Sequence, residues 1–237
     1  VLAGNTFAAK ESHAKVEAAL AAESRPAADL DRDRNRRALA TLNFFGLKDD
    51  MRVLELIPGG GWYTRVLAPV LAENGKLYVA LGTRRIKSGV LQEPGFDKVE
   101  LLETNENMHR PEGSRFYAMD DFSFGVSNLD MVLTFRNLHN FEPESRAMMN
   151  REVFKALRSG GLYGVVDHTM RHMEPANNEN RRRIDPVLVI KEMLEQGFEF
   201  VGYSDLHYRA DDELEYEVGR RSVSGNTDRF TMLFRKP

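Results

Sequence analysis

The chain has 237 residues, enough for one domain with a full hydrophobic core and an appended segment. Hydrophobic residues make up 42% of it and charged residues 29%, as in ordinary globular proteins. The formal net charge of -3 argues against a nucleic-acid partner, which usually meets a basic face. No apolar run approaches the roughly 20 residues that span a membrane. The absence of cysteine excludes disulfides and thiolate chemistry.

The first residues, VLAGNTFAAK, leave the location of the protein open. Their small residues form an A-x-A-like pattern that is typical of the end of a secretory signal. A boundary at which the chain was cut would give the same pattern. We therefore expect either a cytoplasmic protein or one exported to the periplasm after signal removal.

Two helices are predicted in an N-terminal helical segment, residues 1–46. The first covers residues 10–23, which are rich in alanine, and the second runs from about Asp29 to Phe45 and ends at a glycine. The run DRDRNRR in the second alternates in sign, which predicts a solvated helical face; an arginine that binds phosphate or carboxylate is the alternative. Residues 47–237 form the predicted α/β domain.

From residue 51 onward, strand patterns alternate with helical ones. Predicted helices are YTRVLAPVL, ESRAMMNREVFKALRSGG (ended by Gly160 and Gly161) and RRIDPVLVIKEMLEQG. Predicted strands are MRVLELI, KLYVAL, a short one around VELLE, RFYAM, LDMVLTF, LYGVVDH and a closing pair, FEFVGYSDL and DRFTMLFRK. This alternation predicts βαβ units in a mainly parallel sheet covered on both faces. Such a sheet binds ligands at the carboxyl ends of its strands.

The stretch VLELIPGGGWYT at residues 53–64 joins a strand to a helix through three glycines. Glycine is needed where φ is positive or where a ligand approaches the backbone. The helix that follows offers free N–H groups at its positive end. Glu55 is a carboxylate in an apolar run and needs partners. Taken alone, the stretch fits both a ligand-binding turn and a plain bend.

The order of motifs along the chain resembles that of the class I S-adenosylmethionine-dependent methyltransferase superfamily. It is carried by VLELIPGGG, GKLYVAL, RFYAMDDF, LDMVLTFRNLHNF and LRSGGLYGVVDH, over roughly residues 40–237. PGGGWYT and FRNLHNF resemble a subgroup of small predicted bacterial methyltransferases that often carry signal sequences. The resemblance implies a doubly wound, Rossmann-like sheet of seven mostly parallel strands with a C-terminal antiparallel strand. It also implies methyl transfer from S-adenosylmethionine to oxygen or nitrogen of a small molecule.

The resemblance also implies cofactor contacts along the strand ends. The first motif would contact the amino-acid and ribose parts of the cofactor. The stretch after RFYAM would contact the adenine, and the end of the fourth strand would lie beside the methionine moiety. The implied residues are Glu55, Pro58, Gly59, Gly60, Gly61, Leu81, Met119, Asp120, Asp121, Arg136 and Asn137.

Two positions depart from the family pattern. Ile57 stands where a glycine often follows the acid of the first motif, and Leu81 stands where the second strand usually ends in the acid that binds the ribose. Either the ribose contact is made by another group, or the cofactor is bound weakly, differently or not at all.

Three polar residues at strand ends are candidates for catalysis. His139 follows the fourth strand, and Asp167 and His168 end the fifth, so they can converge over the transferred methyl group. Asp167 next to His168 would orient it or raise its pKa. A loop-bracing role for His139 and a divalent metal held by these three residues are alternatives; we predict no metal. The other histidines are predicted at the surface: His13, His109, His172 and His207.

Trp62 and Tyr63, beside the glycines, are candidate substrate residues. Trp62 would stack on a substrate or shield the sulfonium, whereas core packing is the alternative for Tyr63. The arginines at 181–183 are predicted to start a solvated helix, with an anionic substrate as the alternative.

Two other functions stay open at this point. The same fold can bind this cofactor, or a nicotinamide cofactor, for chemistry other than methyl transfer. It can also persist as a binding protein with a decayed site. A phosphate-loop NTPase is excluded because no Gly-Lys-Ser/Thr follows the glycines.

Overall fold

The computed structural model describes residues 2–237, with side chains described from Lys10 onward. The stretch that resembles the end of a secretory signal lies outside the described side chains. Strands in the described part are β1 (Arg52–Leu56), β2 (Lys76–Ala80), β3 (Glu100–Leu101), β4 (Met108–His109), β5 (Ala118–Met119), β6 (Leu129–Phe135), β7 (Leu157–His168), β8 (Glu199–Ser204) and β9 (Arg229–Arg235).

Helices surround these strands. They are α1 (Leu2–Leu20), α2 (Ala27–Leu30), α3 (Asp33–Arg36), α4 (Ala38–Phe45), α5 (Thr64–Leu71), α6 (Arg84–Lys87), α7 (Pro143–Ala156) and α8 (Pro186–Glu195), with 3₁₀ turns at Val90–Gln92 and Leu138–Asn140. Within residues 2–237, none of the helices combines the length and the apolar character of a membrane span.

The seven-stranded sheet confirms the predicted fold class. Its strand order is β3-β2-β1-β6-β7-β9-β8. The first five of these strands run parallel, and β9 is antiparallel to both β7 and β8. The chain order reverses between β1 and β6, so the carboxyl ends of these two strands flank the crevice in which such sheets bind ligands.

Side chains of β1 alternate between two apolar layers, one on each face of the sheet. Leu54 belongs to the layer that contains Val132 and Phe234. Val53 belongs to the other layer, which also takes in Leu42 of α4. This alternation is the two-residue period of a strand buried on both faces. The N-terminal helices α1 and α4 therefore contribute to the core on the α5 side of the sheet.

The predicted helix from Asp29 to Phe45 is wrong, because the structure breaks it into α2, α3 and α4. Arg37 adopts a left-handed backbone with φ 44°, which a right-handed helix cannot contain. Its guanidinium donates a hydrogen bond to the carbonyl of Leu206, so a distant loop holds the break in place. The predicted stop at Gly46 is confirmed, with φ 74°.

Two other boundaries differ from the prediction. Helix α7 ends at Ala156 rather than at the glycine pair, and β7 begins at the next residue. Gly160 and Gly161 lie inside β7, where its register with β6 shifts. The predicted RFYAM strand is reduced to β5, which pairs only with β4 in a small separate sheet. The closing pair, β8 and β9, is confirmed.

His207 is buried, so its predicted place at the surface is wrong. It is 2% exposed and lies between two hydrogen-bond partners. Its Nε2–H donates to the carbonyl of Arg36 at 3.0 Å, which leaves Nδ1 to accept from the hydroxyl of Thr231 at 2.6 Å. Burial, reinforced by nearby arginines, lowers the pKa of His207 from 6.5 to about 4. The neutral ring thus ties α3 to β9.

We expect His207 to make the protein less stable in mild acid. The unfolded chain takes up the proton near pH 6.5 and the folded chain only near pH 4, so stability from the neutral ring is complete above pH 6.5. It is lost as the pH falls toward 4, by on the order of 3 kcal/mol. Urea unfolding of wild type and His207→Gln at several pH values would measure this difference. If the free energy of unfolding depended on pH in the same way in both proteins, His207 would not be the group responsible.

Candidate functional site

A cavity of about 420 Å³ opens above the three glycines, at the carboxyl ends of β1 and β6. We call it the glycine-turn cavity. Among the residues in its walls are Glu55, Pro58, Gly60, Trp62, Tyr63 and Asn137. The structure thus brings most of the residues of the first motif to one opening, together with residues from the end of β6.

The backbone is strained where three neighbouring strands end at this crevice. Ile57 after β1, Leu81 after β2 and Arg136 after β6 have φ values of 50°, 65° and 66°. Residues with a β-carbon rarely adopt this left-handed region, and each such residue costs on the order of 1 kcal/mol. Strain of this kind persists where the surrounding structure fixes it, and it concentrates at binding sites.

Glu55 lies beneath the glycine turn and is 2% exposed. The hydroxyl of Thr64, at the start of α5, donates a hydrogen bond of 2.6 Å to its Oε2. Burial raises the pKa of Glu55 to about 7, although the Thr64 hydroxyl and the positive charge of Arg36 pull it down. Its charge therefore changes near neutral pH and responds to whatever group lies above it.

The glycine turn leaves the backbone open to a ligand. Gly59 and Gly61 have φ values of 59° and 83°. A β-carbon on Gly61 would lie 2.6 Å from Cγ2 of Val90, so this position requires glycine for space as well as for conformation. Asn137 closes the opposite side, because its Nδ2 donates to the carbonyl of Leu56 and to the hydroxyl of Thr134.

Trp62 and Tyr63 face the cavity and also fasten the N-terminal segment to it. The indole N–H of Trp62 donates to the carbonyl of Asp29, and the guanidinium of Arg36 lies 4.6 Å from the indole centroid. Tyr63 stacks on Phe135 with ring centroids 3.5 Å apart, and its hydroxyl donates to the carbonyl of Arg36. Core packing, the alternative for Tyr63, describes its ring well.

The three candidate catalytic residues come together. Nδ1 of His139 lies 2.5 Å from Oδ1 of Asp167, which is fully buried. Asp167 also accepts from the backbone N–H of His139 and of His168. The rings of His139 and His168 are 5.6 Å apart. Asp167 therefore orients His139 rather than the side chain of its neighbour His168.

His168 differs from the expectation for a histidine beside an aspartate. Burial and the nearby ring of His139 hold its pKa well below its usual range, and the positive charges of Arg229 and Arg136 act in the same direction. Its Nδ1 lies 2.9 Å from the hydroxyl of the buried Thr227. A neutral His168 follows, so the alternative in which Asp167 raises its pKa is wrong.

His139 and His168 open onto a second cavity of about 380 Å³, which we call the histidine cavity. Thr227 and Arg229 complete the wall on the β9 side. Arg32 and Arg136 line both this cavity and the glycine-turn cavity, so the two openings share part of their walls. A ligand in one therefore lies beside a ligand in the other.

Five residues assigned to the cofactor do not line the glycine-turn cavity: Gly61, which packs against Val90, and four others farther toward β2 and β5. Leu81 is fully buried, Met119 is buried near the β4–β5 pair, and Asp120 and Asp121 are exposed. The side chain of Met108 lies over Gly82, next to Leu81. These four lie beside the cavity, toward β2 and β5.

Sequence reasoning missed Glu106. It belongs to the irregular region between β3 and β4, yet its Oε1 accepts from the N–H of Gly82 at 3.1 Å, and its Oε2 accepts from Thr104. The loop between β3 and β4 thus places a carboxylate at the end of β2, where Leu81 stands in place of the usual acid. No spacing in the sequence signals this placement.

For several arginines around the two cavities, the structure differs from the prediction made from the sequence. Arg32 and Arg36 line the glycine-turn cavity, so a purely solvated face for DRDRNRR is wrong. Arg182 lines the histidine cavity and pairs with Glu217, whereas Arg183 is fully buried in an ion pair, contrary to a solvated helix start. Among the side chains of residues 10–237, no three that are suited to a metal lie together.

No protein-family model and no curated protein matches the sequence, whereas solved structures do. A SAM-dependent methyltransferase from Aquifex aeolicus matches with a TM-score of 0.61 and 15% identity, over 87% of this chain and 93% of that one. The chain has the class I methyltransferase fold.

The names of two other solved structures that match the chain describe different proteins. Fibrillarin from Aeropyrum pernix, in complex with natively bound S-adenosyl-L-methionine, matches with a TM-score of 0.50 and 17% identity over 85% of this chain and 76% of that one. The [4+2]-cyclase SpnF matches with a TM-score of 0.55 and 16% identity over 92% and 83%. At such identities the likeness extends to the fold, and function must be argued from the site.

We predict that Thr64→Val raises the pKa of Glu55 above its value of about 7 in this methyltransferase fold. The variant removes the hydrogen bond that favours the charged carboxylate. The NMR shift of the Glu55 carboxyl carbon against pH measures the change, with Glu55→Gln for assignment. Thr227→Val is the matched control in the other cavity. An unchanged or lower pKa in Thr64→Val would contradict the electrostatic description.

Proposed function

We propose that this protein transfers a methyl group from S-adenosylmethionine to an oxygen or nitrogen atom of a small molecule. The observation that carries the proposal is the Asp167–His139 pair, which opens onto a cavity that shares walls with the glycine-turn cavity. The cofactor would occupy the glycine-turn cavity and the acceptor the histidine cavity.

The glycine-turn cavity suits the amino-acid end of the cofactor. Glu55 supplies a carboxylate for its ammonium group, and the guanidinium of Arg36 can meet its carboxylate. Nε of Arg36 is buried with no hydrogen-bond partner among the described residues, which is an unusual state for a cation. Burial lowers the pKa of Arg36 to about 9, and an anion in the cavity would raise this pKa toward its usual value.

Glu106 would hold the ribose hydroxyls in place of the acid that Leu81 lacks. It already accepts a hydrogen bond from the backbone next to Leu81, and it is only half-buried, so its carboxylate can reach a second partner. Beyond it, Asp120 remains our proposal for the adenine; its carboxylate accepts from Nδ2 of Asn107.

His139 would remove the proton from the acceptor. Asp167 is a carboxylate and accepts the Nδ1–H of His139, which fixes the tautomer and leaves Nε2 with a free lone pair. Asp167 also stabilises the imidazolium that forms when Nε2 takes up a proton. The acceptor atom becomes a better nucleophile as a result.

Bound S-adenosylmethionine supplies an electrophilic methyl group on a positively charged sulfur. The chain itself contributes orientation, exclusion of water and a base. Neutral His168 lines the same cavity and can hydrogen-bond the acceptor without adding a charge. The N-terminal segment, residues 1–46, takes part in this site through Arg32 and Arg36.

A second candidate is a cofactor-binding protein of this fold with other chemistry. It is favoured by Leu81 at the position of the usual acid and by Met108 over Gly82. Calorimetry with S-adenosylmethionine, S-adenosylhomocysteine and NAD(H), followed by a screen for methylated acceptors, separates the two candidates. No binding of the first two compounds would remove the methyltransferase proposal, and binding without transfer to any acceptor would favour the second candidate.

Glu106→Gln should weaken the binding of S-adenosylhomocysteine by about tenfold or more, the usual effect of losing a hydrogen bond to a charged group. The neutral isostere can still accept from Gly82, so the loop should keep its place. Fluorescence of Trp62, the single tryptophan, reports on binding in the glycine-turn cavity. Glu103→Gln, the same change at an exposed position nearby, should bind as wild type does. Equal affinities for all three proteins would exclude Glu106 from the ribose site.

His139→Gln should lower kcat by about a hundredfold or more with the acceptor that the screen identifies. Asp167→Asn should also lower kcat, because an amide does not hold Nδ1 protonated. The affinity for S-adenosylhomocysteine should not change in His139→Gln, since the ring lines the other cavity. His13→Asn, on α1, serves as a control. Wild-type turnover by His139→Gln would leave His139 only the role of bracing its loop.

A further inference from the structure

The histidine cavity carries positive charge that its own walls do not neutralise. Its lining includes Arg32, Arg136, Arg182 and Arg229, and of the described side chains no carboxylate lines it. Among the described residues, only Arg182 of the four has an ion-pair partner, Glu217, which lies outside the lining. Buried charges in proteins are normally paired, so this arrangement requires a counter-charge from elsewhere.

Arg136 is the cation placed between the two cavities. It lines both of them, its backbone at the end of β6 is left-handed with φ 66°, and its N–H donates to the carbonyl of Val166. Among the described residues its guanidinium has no hydrogen-bond or ion-pair partner. Burial lowers its pKa, and the positive charge of Arg32 adds to this effect. Arg136 thus keeps its donor groups free for a ligand.

Arg229 stands on the far wall, at the start of β9. It is 6% exposed, and one of its terminal nitrogens donates to the carbonyl of Asn35. Its Nε is buried with no partner in the described part of the chain. Burial, with the charge of Arg136, lowers its pKa to about 10. A buried, partly unsatisfied guanidinium of this kind suits an anion.

We propose that the methyl acceptor is an acidic small molecule whose carboxylate or phosphate group binds between Arg136 and Arg229, with Arg32 at the rim. This inference rests on the proposed function and names its substrate class. With the acidic group held there, the nucleophilic oxygen or nitrogen of the acceptor faces Nε2 of His139. The anion supplies the missing counter-charge and fixes the orientation at the same time.

The acidic group of the acceptor and the carboxylate of the cofactor would each bind an arginine that the other does not contact. Arg36 lines only the glycine-turn cavity, whereas Arg229 lines only the histidine cavity. Neutralising each arginine therefore affects a different ligand. Arg36→Gln should weaken the binding of S-adenosylhomocysteine, and Arg229→Gln should weaken the binding of an acidic acceptor.

The test is calorimetric titration of the full chain, with and without saturating S-adenosylhomocysteine, by three small probes. Benzoate and inorganic phosphate represent the two acidic groups, and benzamide is the neutral counterpart of benzoate. We expect at least one anion to bind and benzamide not to bind. Comparison of benzoate with phosphate shows which acidic group the cavity prefers.

Arg229→Gln and Arg32→Gln should each lower the affinity for the anion by about tenfold. Arg235→Gln is the matched control, because it makes the same change of charge at the opposite end of β9, where Arg235 pairs with Glu199. It should bind the anion as wild type does. If Arg229→Gln does not fold, Arg32→Gln decides the matter, since the Arg32 side chain is exposed and forms no hydrogen bond or ion pair with the described residues.

Each outcome separates this inference from the function on which it rests. Absence of anion binding, or equal affinities in Arg229→Gln, Arg32→Gln and Arg235→Gln, overturns the acidic acceptor even if S-adenosylhomocysteine binds. Methylation of a neutral acceptor in preference to its acidic analogue overturns it as well. Anion binding with the expected losses supports the arginine site, and failure of S-adenosylhomocysteine to bind would then count against the cofactor alone.

Discussion

The buried carboxylate of Asp167 is the group on which the rest of the site depends. It is fully buried and accepts hydrogen bonds from both backbone and ring of His139 and from the backbone of His168. These bonds join the turn after β6 to the end of β7. A buried charge without such partners costs several kcal/mol, so the two strand ends are fixed relative to each other by the same interaction that orients His139.

The N-terminal segment is held against this frame at the residue before the helix break. The carbonyl of Arg36 accepts hydrogen bonds from Tyr63, His207 and Thr41, which come from different parts of the chain. The carbonyl groups that end a helix need such partners. Because these donors are buried, they fix the backbone at Arg36, whose guanidinium lies over the indole of Trp62 at the glycine-turn cavity.

The sheet and the meeting of His139 with Asp167 could be predicted, because alternating periodicity and strand ends encode them and the motif order is familiar. The break at Arg37 could not, since its left-handed backbone depends on a contact with Leu206, far along the chain. Glu106 lay in the least regular region, where neither spacing nor residue type indicates a partner. Charge alternation in DRDRNRR is typical of solvated faces, and only tertiary structure buries one of its sides.

The wall shared by the two cavities has a thermodynamic consequence. Arg32 and Arg136 face both openings, so a ligand in either one changes the electrostatic potential felt in the other. Linkage then makes the coupling free energy reciprocal: each ligand alters the affinity of its neighbour by the same factor. Occupancy by an anion on one side and a cationic sulfonium on the other would be mutually favourable. After methyl transfer the sulfur would be uncharged, so this favourable coupling would be lost. The products would then dissociate more easily.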